Sequence, residues 1–178
     1  MWDFFETVRH RHSVRHYQPD MPVEREKLHA ILEMACAAPS AGDLQSYHVT
    51  VVTEAAGREA LRRAAADQAF VAEAPVVLVF CADPERSAER FGERGRRLYA
   101  LQDATIAAAY AQLAAVAAGM ASTWVGDFDE EAVRAVIGAR AGLVPVALIC
   151  VGYPAELPAE SPRRPLAEVV RFLGEAED

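Results

Sequence analysis

The sequence predicts an α+β domain, a central mixed or antiparallel sheet flanked by helices, on three observations. Short apolar runs suited to strands are mixed with longer amphipathic segments, without a steady β-α-β rhythm. Two helical stretches precede the first strand-like run. No G-x-G-x-x-G or phosphate-loop pattern follows a strand, as a doubly wound nucleotide fold would lead one to expect. The 178 residues fit one domain, residues 1–178, long enough to bury a sizeable core.

Each element follows from its local pattern. Trp2 to His10 reads as a short helix with Trp2, Phe5 and Val8 on one face. Pro19 and Pro22 enforce an extended stretch. Val23 to Ala38 reads as a helix whose stripe is Leu28, Ile31, Leu32 and Ala35, stopped by Pro39. Ser46 to Thr53, rich in β-branched residues, reads as a strand. Ala55 to Gln68 reads as helix. Pro75 to Ala82 (PVVLVFCA) is continuously apolar, hence a strand buried on both faces. Asp83 to Arg97 is dense in opposite charges and reads as a solvated helical face or a flap. Leu98 to Gly119, rich in alanine, is the longest predicted helix, and Gly119 ends or kinks it. Thr123 to Phe128 is extended, Asp129 caps a helix over Glu130 to Ile137, and Pro145 to Gly152 is a further strand. A tail with Pro154, Pro158, Pro162 and Pro165 ends in an apolar segment, Leu166 to Leu173, of the kind that reaches over a neighbour.

Composition narrows the function. The formal net charge is −8, so a general nucleic-acid surface is disfavoured. Cys36, Cys81 and Cys150 sit apart in apolar contexts, as small buried hydrophobes do, and form neither a disulfide frame nor a zinc pattern. Ala104 to Met120 is short for a membrane span, and no leader-like segment precedes the first charges, so a cytoplasmic, soluble protein is expected.

Against this acidic background stands RHRHSVRHY, residues 9–17, with three arginines and three histidines. If the stretch is extended, Arg11, Ser13 and Arg15 point to one side, and His10, His12, Val14 and His16 to the other. Two guanidiniums and a hydroxyl suit a phosphate or another planar anion. An exposed basic loop is the plainer alternative. The histidines make a poor metal site, because the flanking arginines would repel a cation. A second basic island, SPRRPL at 161–166, holds Arg163 and Arg164 between prolines and suggests a shared anion. A third stretch, APSAGDLQSYH at 38–48, presents small and polar residues able to meet a flat polar ring, or forms a plain helix-to-strand loop.

In order, these stretches resemble the nitroreductase family of flavin mononucleotide (FMN) enzymes. RHSVR at 11–15 is similar to its phosphate-binding signature. APSAGDLQSYHVTVV at 38–52 is similar to its A-P-S-x-x-N-x-Q-P-W-x-F-x-V-V block. The Ala74–Pro75 pair, the long helix with its W-x-G turn at 124–126, VGYP at 151–154 and RRPLAEVV at 163–170 follow in the family's order. The resemblance implies a nitroreductase-like fold and a compact member. It further implies a homodimer with FMN at the subunit interface and a C-terminal tail reaching the partner.

Under that resemblance, Arg11, His12 and Ser13 hold the FMN phosphate and ribityl chain, and Arg163 and Arg164 complete the phosphate clamp. Arg15 approaches the pyrimidine near N1 and O2, with Gln68 at its edge. Trp124, Val125 and Gly126 run beside the ring, with backbone amides near O4 and N5. Pro39, Ser40, Ala41 and Asp43 come from the other subunit. Arg15 and Gly126 are the flavin-tuning groups, since the cofactor itself carries the chemistry. The implied activity is hydride transfer from NAD(P)H through flavin N5 to a nitroaromatic, quinone or similar small-molecule oxidant, by a ping-pong mechanism. Dehalogenation, enone reduction, flavin cleavage or flavin sensing without turnover are alternatives on the same fold. Asp43, Ser46 and Tyr47 replace the family's usual Asn, Pro and Trp, and the resemblance groups them beside the flavin or substrate face. His10 and His16 receive no role.

Overall fold

All seven residues of the strand Val76–Ala82 are buried, and the rest of the chain is arranged around it. The computed structural model describes residues 3–159 and 161–174. Among these the elements are, in order, α1 (Phe4–His10), α2 (Arg25–Cys36), a 3-10 turn (Ala41–Asp43), β1 (Tyr47–Val52), α3 (Ala55–Ala64) and α4 (Phe70–Glu73). Then come β2 (Val76–Ala82), α5 (Pro84–Arg94), a π-helical turn (Gly95–Tyr99), α6 (Ala100–Ala117), β3 (Ala121–Val125), α7 (Glu130–Ile137), β4 (Val144–Gly152) and α8 (Leu166–Val169).

The strands form one sheet in the order β1-β2-β4-β3, and every neighbouring pair is antiparallel. Side chains alternate across a strand, so β2 feeds two cores. Val77, Val79 and Cys81 pack with Leu148 and Cys150 of β4 against Leu61, Val71 and Val133 of α3, α4 and α7. Val76, Leu78 and Phe80 pack with Ala147, Ile149 and Val151 against Ile31 and Ala35 of α2 and the alanines of α6. Ala107, Ala108, Ala111 and Ala115 are fully buried, so α6 lies close on the sheet. The helix ends where Gly119 takes φ +79: Gly119 N–H donates to Val116 O and Met120 N–H to Ala115 O, satisfying the last carbonyls.

Several boundaries differ from the expectation for local reasons. Trp2 lies outside the described residues, and α1 starts at Phe4 on a capping box in which Asp3 and Glu6 satisfy each other's N–H groups. The third helix stops at Ala64, not Gln68, because Ala66 and Asp67 both take positive φ, 51 and 56. Neither is glycine, so composition carries no stop signal there; Arg62 holds the turn through Asp67 at 2.8 Å. The charged stretch after β2 is a helix capped by Asp83, followed by the π-helical turn into α6. Cys36 corrects the reading of three buried cysteines. It is exposed, because the buried stripe of α2 runs through Ile31 and Ala35 and position 36 falls beside it.

One buried carboxyl group holds the loop between α2 and β1. Asp103 of α6 is 2% exposed; its Oδ1 accepts Ala41 N–H at 2.8 Å and its Oδ2 accepts Ser46 N–H at 3.2 Å. From outside, Arg90 donates to Gly42 O at 2.9 Å and Arg86 to Leu44 O at 2.6 Å. Gly42 has φ +57, and a Cβ there would stand 2.6 Å from Arg90 Nη1, so this position accepts glycine alone without rearrangement. The loop is thus clamped between α5 and α6.

Two outcomes are expected. Asp103→Asn keeps the shape but presents an NH₂ to one of the two donors, at a cost of roughly 1–3 kcal/mol. Hydrogen exchange read by mass spectrometry should show faster exchange in the 40–46 peptide. Separately, burial raises the Cys81 thiol to about 11 and the Cys150 thiol to about 12. Iodoacetamide near neutral pH should therefore add one label to the folded chain, at Cys36, and three in urea, as intact mass would show.

Candidate functional site

The segment after α1 lies along the β3 edge of the sheet. Val14 N–H donates to Ser122 O at 3.2 Å, and Ser13 forms a parallel bridge with Ser122. Thr123 Oγ1 donates to Val14 O. Three residues on, the Tyr17 hydroxyl lies 3.2 Å from Thr123 Oγ1 and 3.3 Å from Cys150 O, and burial raises its pKa above the ordinary phenol value. Ala155 N–H donates to His16 O at 2.9 Å, and Tyr17 pairs with Pro154. The segment is fixed to β3 and to the chain leaving β4.

Strict alternation holds only at its start. His10, His12 and Val14 share one side, where they line a cavity of about 220 Å³ with Val116, Met120 and Leu157. Arg11 and Ser13 are half-buried on the other side. Beyond Val14 the next buried residue is Tyr17, three positions on, while Arg15 and His16 are exposed. The reason is that among the described residues this stretch pairs with its neighbours through isolated bridges at Ser13 and Tyr17 and not a continuous ladder, so its pleat is not that of a regular strand. His16 stands between Glu73 at 3.8 Å and Glu156 at 3.7 Å.

Arg11, near the start of the chain, lies within electrostatic range of Arg163 in the tail. Arg11's pKa is lowered first by burial and then by the charge of Arg163. Among the described residues, neither guanidinium has a carboxylate partner. The next arginine differs: Arg164 pairs with Glu168 at 3.2 Å, within the tail. Two like charges in range of one another, with no carboxylate partner among the described residues, have the chemistry to bind an anion.

Further along the same edge, the Arg15 guanidinium lies 5.9 Å from the Phe70 ring centroid. Gln68, just before α4, donates from Nε2 to Ala65 O at 3.0 Å and approaches Asp127 O at 3.5 Å. That contact sets Gln68 beside the turn after β3, where Val125 is buried, Trp124 half-buried and Gly126 exposed. A Cβ on Gly126 would meet nothing closer than Trp124 Nε1 at 3.6 Å, so a ligand can approach its backbone. A line of groups from Arg11 to Gly126 thus follows one edge.

Pro39, Ser40, Ala41 and Asp43 stand elsewhere. Their loop bonds to α2, α5 and α6, and no hydrogen bond or ion pair links it to the Arg11–Gly126 line within one chain, among the described residues. Ser40 Oγ accepts Gln45 N–H at 2.9 Å, and Asp43 is exposed with φ +57. Ser46 is wholly buried with its hydroxyl unpartnered, and the half-buried Tyr47 donates to Ala35 O at 3.3 Å. Both follow the loop anchor inward, which leaves Asp43 as the exposed departure of the three. Asp103, Tyr17 and Thr123 are the structural members that sequence reasoning missed; Asp103's signal was a lone acid in an alanine-rich helix. Among the described residues, no cluster of histidine, cysteine and acidic side chains could hold a metal ion.

Comparison with known proteins gives these positions a family context. The nitroreductase family model matches residues 8–72 and 64–153. The chain is 37% identical to an NADH dehydrogenase of Thermus thermophilus, across 90% of this chain and 91% of that protein. It is 30% identical to the oxygen-insensitive NADPH nitroreductase of Salmonella typhimurium, across 89% of this chain and 68% of that protein. Its fold superposes on the NADPH:FMN oxidoreductase of Vibrio harveyi complexed with NAD⁺ with a TM-score of 0.87 at 27% identity, covering 98% of this chain and 78% of that one. Its sheet and helices are those of that fold, and the chain belongs to the nitroreductase family.

Proposed function

We propose that the protein is an NAD(P)H-dependent FMN oxidoreductase, and that it works as a homodimer with FMN at the subunit interface. The observation that carries this is the edge that runs from half-buried Arg11, which has no carboxylate partner among the described residues and feels the charge of Arg163, to the open backbone of Gly126. The residues present fit the cofactor: a cationic end for a phosphate and a flat, accessible end for a ring. FMN, when bound, would supply a centre that accepts hydride from NAD(P)H and passes electrons to a nitroaromatic, quinone or similar oxidant.

The chain's own residues bind and orient. Arg11 and Arg163 would grip the phosphate in bidentate fashion, with His12 and Ser13 adding donors. Arg164 would join them by exchanging its partner Glu168 for the phosphate. Arg15 would place a cation at the pyrimidine end, where it favours the electron-rich form of a flavin, and Gln68 would bond the pyrimidine edge. Trp124, Val125 and Gly126 would border the ring. Pro39, Ser40, Ala41 and Asp43 would approach from the partner subunit, which accounts for their separation from the line of groups within one chain. The tail agrees with a two-chain site: Leu157, Leu166, Phe172 and Leu173 are exposed, and Phe172 keeps 73% of its surface. No helix among the described residues is long and apolar enough to cross a membrane. The two co-substrates would use one face in turn, giving ping-pong kinetics.

The purified protein should be yellow and bleach anaerobically with NADPH or NADH; a protein that binds no added FMN would overturn the proposal. Arg11→Ala should raise the FMN dissociation constant roughly 10–100-fold, the worth of a charged hydrogen-bonded contact. Asp43→Asn removes a negative charge near the ring and should raise the flavin potential by about 30 mV, the two-electron equivalent of one pKa unit, measured by redox titration.

A further inference from the structure

The carboxylates of α5 and the following π-helical turn pair selectively. Arg96 takes Glu85 at 2.8 Å and Glu93 at 3.2 Å, and Arg97 reaches Glu93 at 4.0 Å. Arg86, Arg90 and Arg94 have no carboxylate partner among the described residues. Arg86 and Arg90 each donate to a carbonyl of the clamped loop, at Leu44 and Gly42. A guanidinium carries five N–H donors, so one such bond positions the group and leaves most donors available. This basic row therefore borders the loop that carries Ser40, Ala41 and Asp43.

Two aromatic rings sit within the row. Phe91 and Tyr99 are half-buried and meet edge to face, with centroids 5.1 Å apart at 87°. The Arg90 guanidinium lies 5.3 Å from the Phe91 ring, and the Arg94 guanidinium 5.4 Å from the Tyr99 ring. Arg94 Nε also donates to the Tyr99 hydroxyl at 2.8 Å. Arg90 and Arg94 are exposed, and each guanidinium lies within cation–π range of its ring. Glu89 and Asp43 are the exposed acids nearby, and neither forms an ion pair with the row. In a chain of net charge −8, an aromatic pair rimmed by two uncompensated guanidiniums is a local exception.

A ligand suited to this patch is flat, aromatic and multiply anionic. Adenine would stack on a guanidinium or ring face, and a phosphate on the adjoining ribose would take the fork of Arg94 or Arg90. NADPH carries a 2′-phosphate at that place, and NADH carries only a hydroxyl. We infer that Arg90, Phe91, Arg94 and Tyr99 read the 2′-phosphoadenosine end of the hydride donor and make the enzyme prefer NADPH. The inference rests on the reading of the neighbouring site as one that takes NAD(P)H. Arg94 is the specificity residue proper, because Arg90 also holds the loop.

The test separates binding from turnover. With FMN-loaded protein, calorimetric titration should show 2′,5′-ADP binding at least about tenfold tighter than 5′-AMP, and Arg94→Ala should remove most of that difference. Anaerobic stopped-flow reduction should give an NADPH-over-NADH affinity ratio that falls about tenfold in Arg94→Ala and is partly restored in Arg94→Lys, which keeps the charge but loses the fork. The lysine variant and a thermal midpoint guard against a folding defect. Equal binding of 2′,5′-ADP and 5′-AMP to the wild type, or an unchanged ratio in Arg94→Ala, overturns the inference. Tight, Arg94-dependent 2′,5′-ADP binding without flavin reduction by either dinucleotide upholds the patch as a 2′-phosphoadenosine site and overturns the hydride-donor reading instead.

Discussion

Burial of β2 on both faces is the constraint on which the rest depends. A strand apolar on each side requires a helical layer above and below, and α2 with α6 and α3 with α7 supply them. β4 is enclosed in the same way along most of its length. The middle of the sheet therefore has no room for a ligand or an unpaired charge. Polar chemistry is confined to the margins: the β3 edge, where the N-terminal segment lies, and the loop that enters β1.

Each margin is fixed by a different physical device. At β3 the segment is held by a few backbone bonds and by Tyr17, whose ring is buried while its hydroxyl meets Thr123 and Cys150. At β1 the loop hangs on a buried acid that accepts two N–H groups, reinforced from outside by guanidiniums on carbonyls. Both arrangements leave certain arginines without acids in a chain that has an excess of acids. Among the described residues Arg11, Arg163, Arg90 and Arg94 have no carboxylate partner, where Arg62, Arg96 and Arg164 are neutralised by carboxylates three to eleven residues away.

Much of this was legible in the sequence, for reasons that differ by element. β2 and the core of β4 announce themselves because a strand buried on both faces has no polar positions to confuse the pattern. Asp129 and Gly119 are correctly read as cap and stop because capping chemistry is local. The end of α3 was not legible, since Ala66 and Asp67 adopt left-handed backbone without glycine. The role of Asp103 was hidden because its partners lie 62 and 57 residues away, and a lone acid in a helix does not name its donors. The burial of Ser46 and the bond from Tyr47 to Ala35 O were not legible, because a motif gives order along the chain and not which way a side chain turns once the loop is anchored. That RHRHSVRHY and SPRRPL could share an anion is suggested by charge alone; that Arg164 turns to Glu168 is a matter of tail geometry.

The meeting of Arg11 and Arg163 also bears on the tail itself. Arg163 lies on a segment that buries little of its own surface, and its charge is repelled by the one it approaches. An anion seated between them converts that repulsion into a bridge. By linkage, it would stabilise a docked tail by the same free energy that the docked tail adds to its binding. Under the proposed function, occupancy of the anion site and docking of the tail would be two readings of one equilibrium, and the prolines at 154, 158, 162 and 165 would reduce the entropy lost on docking.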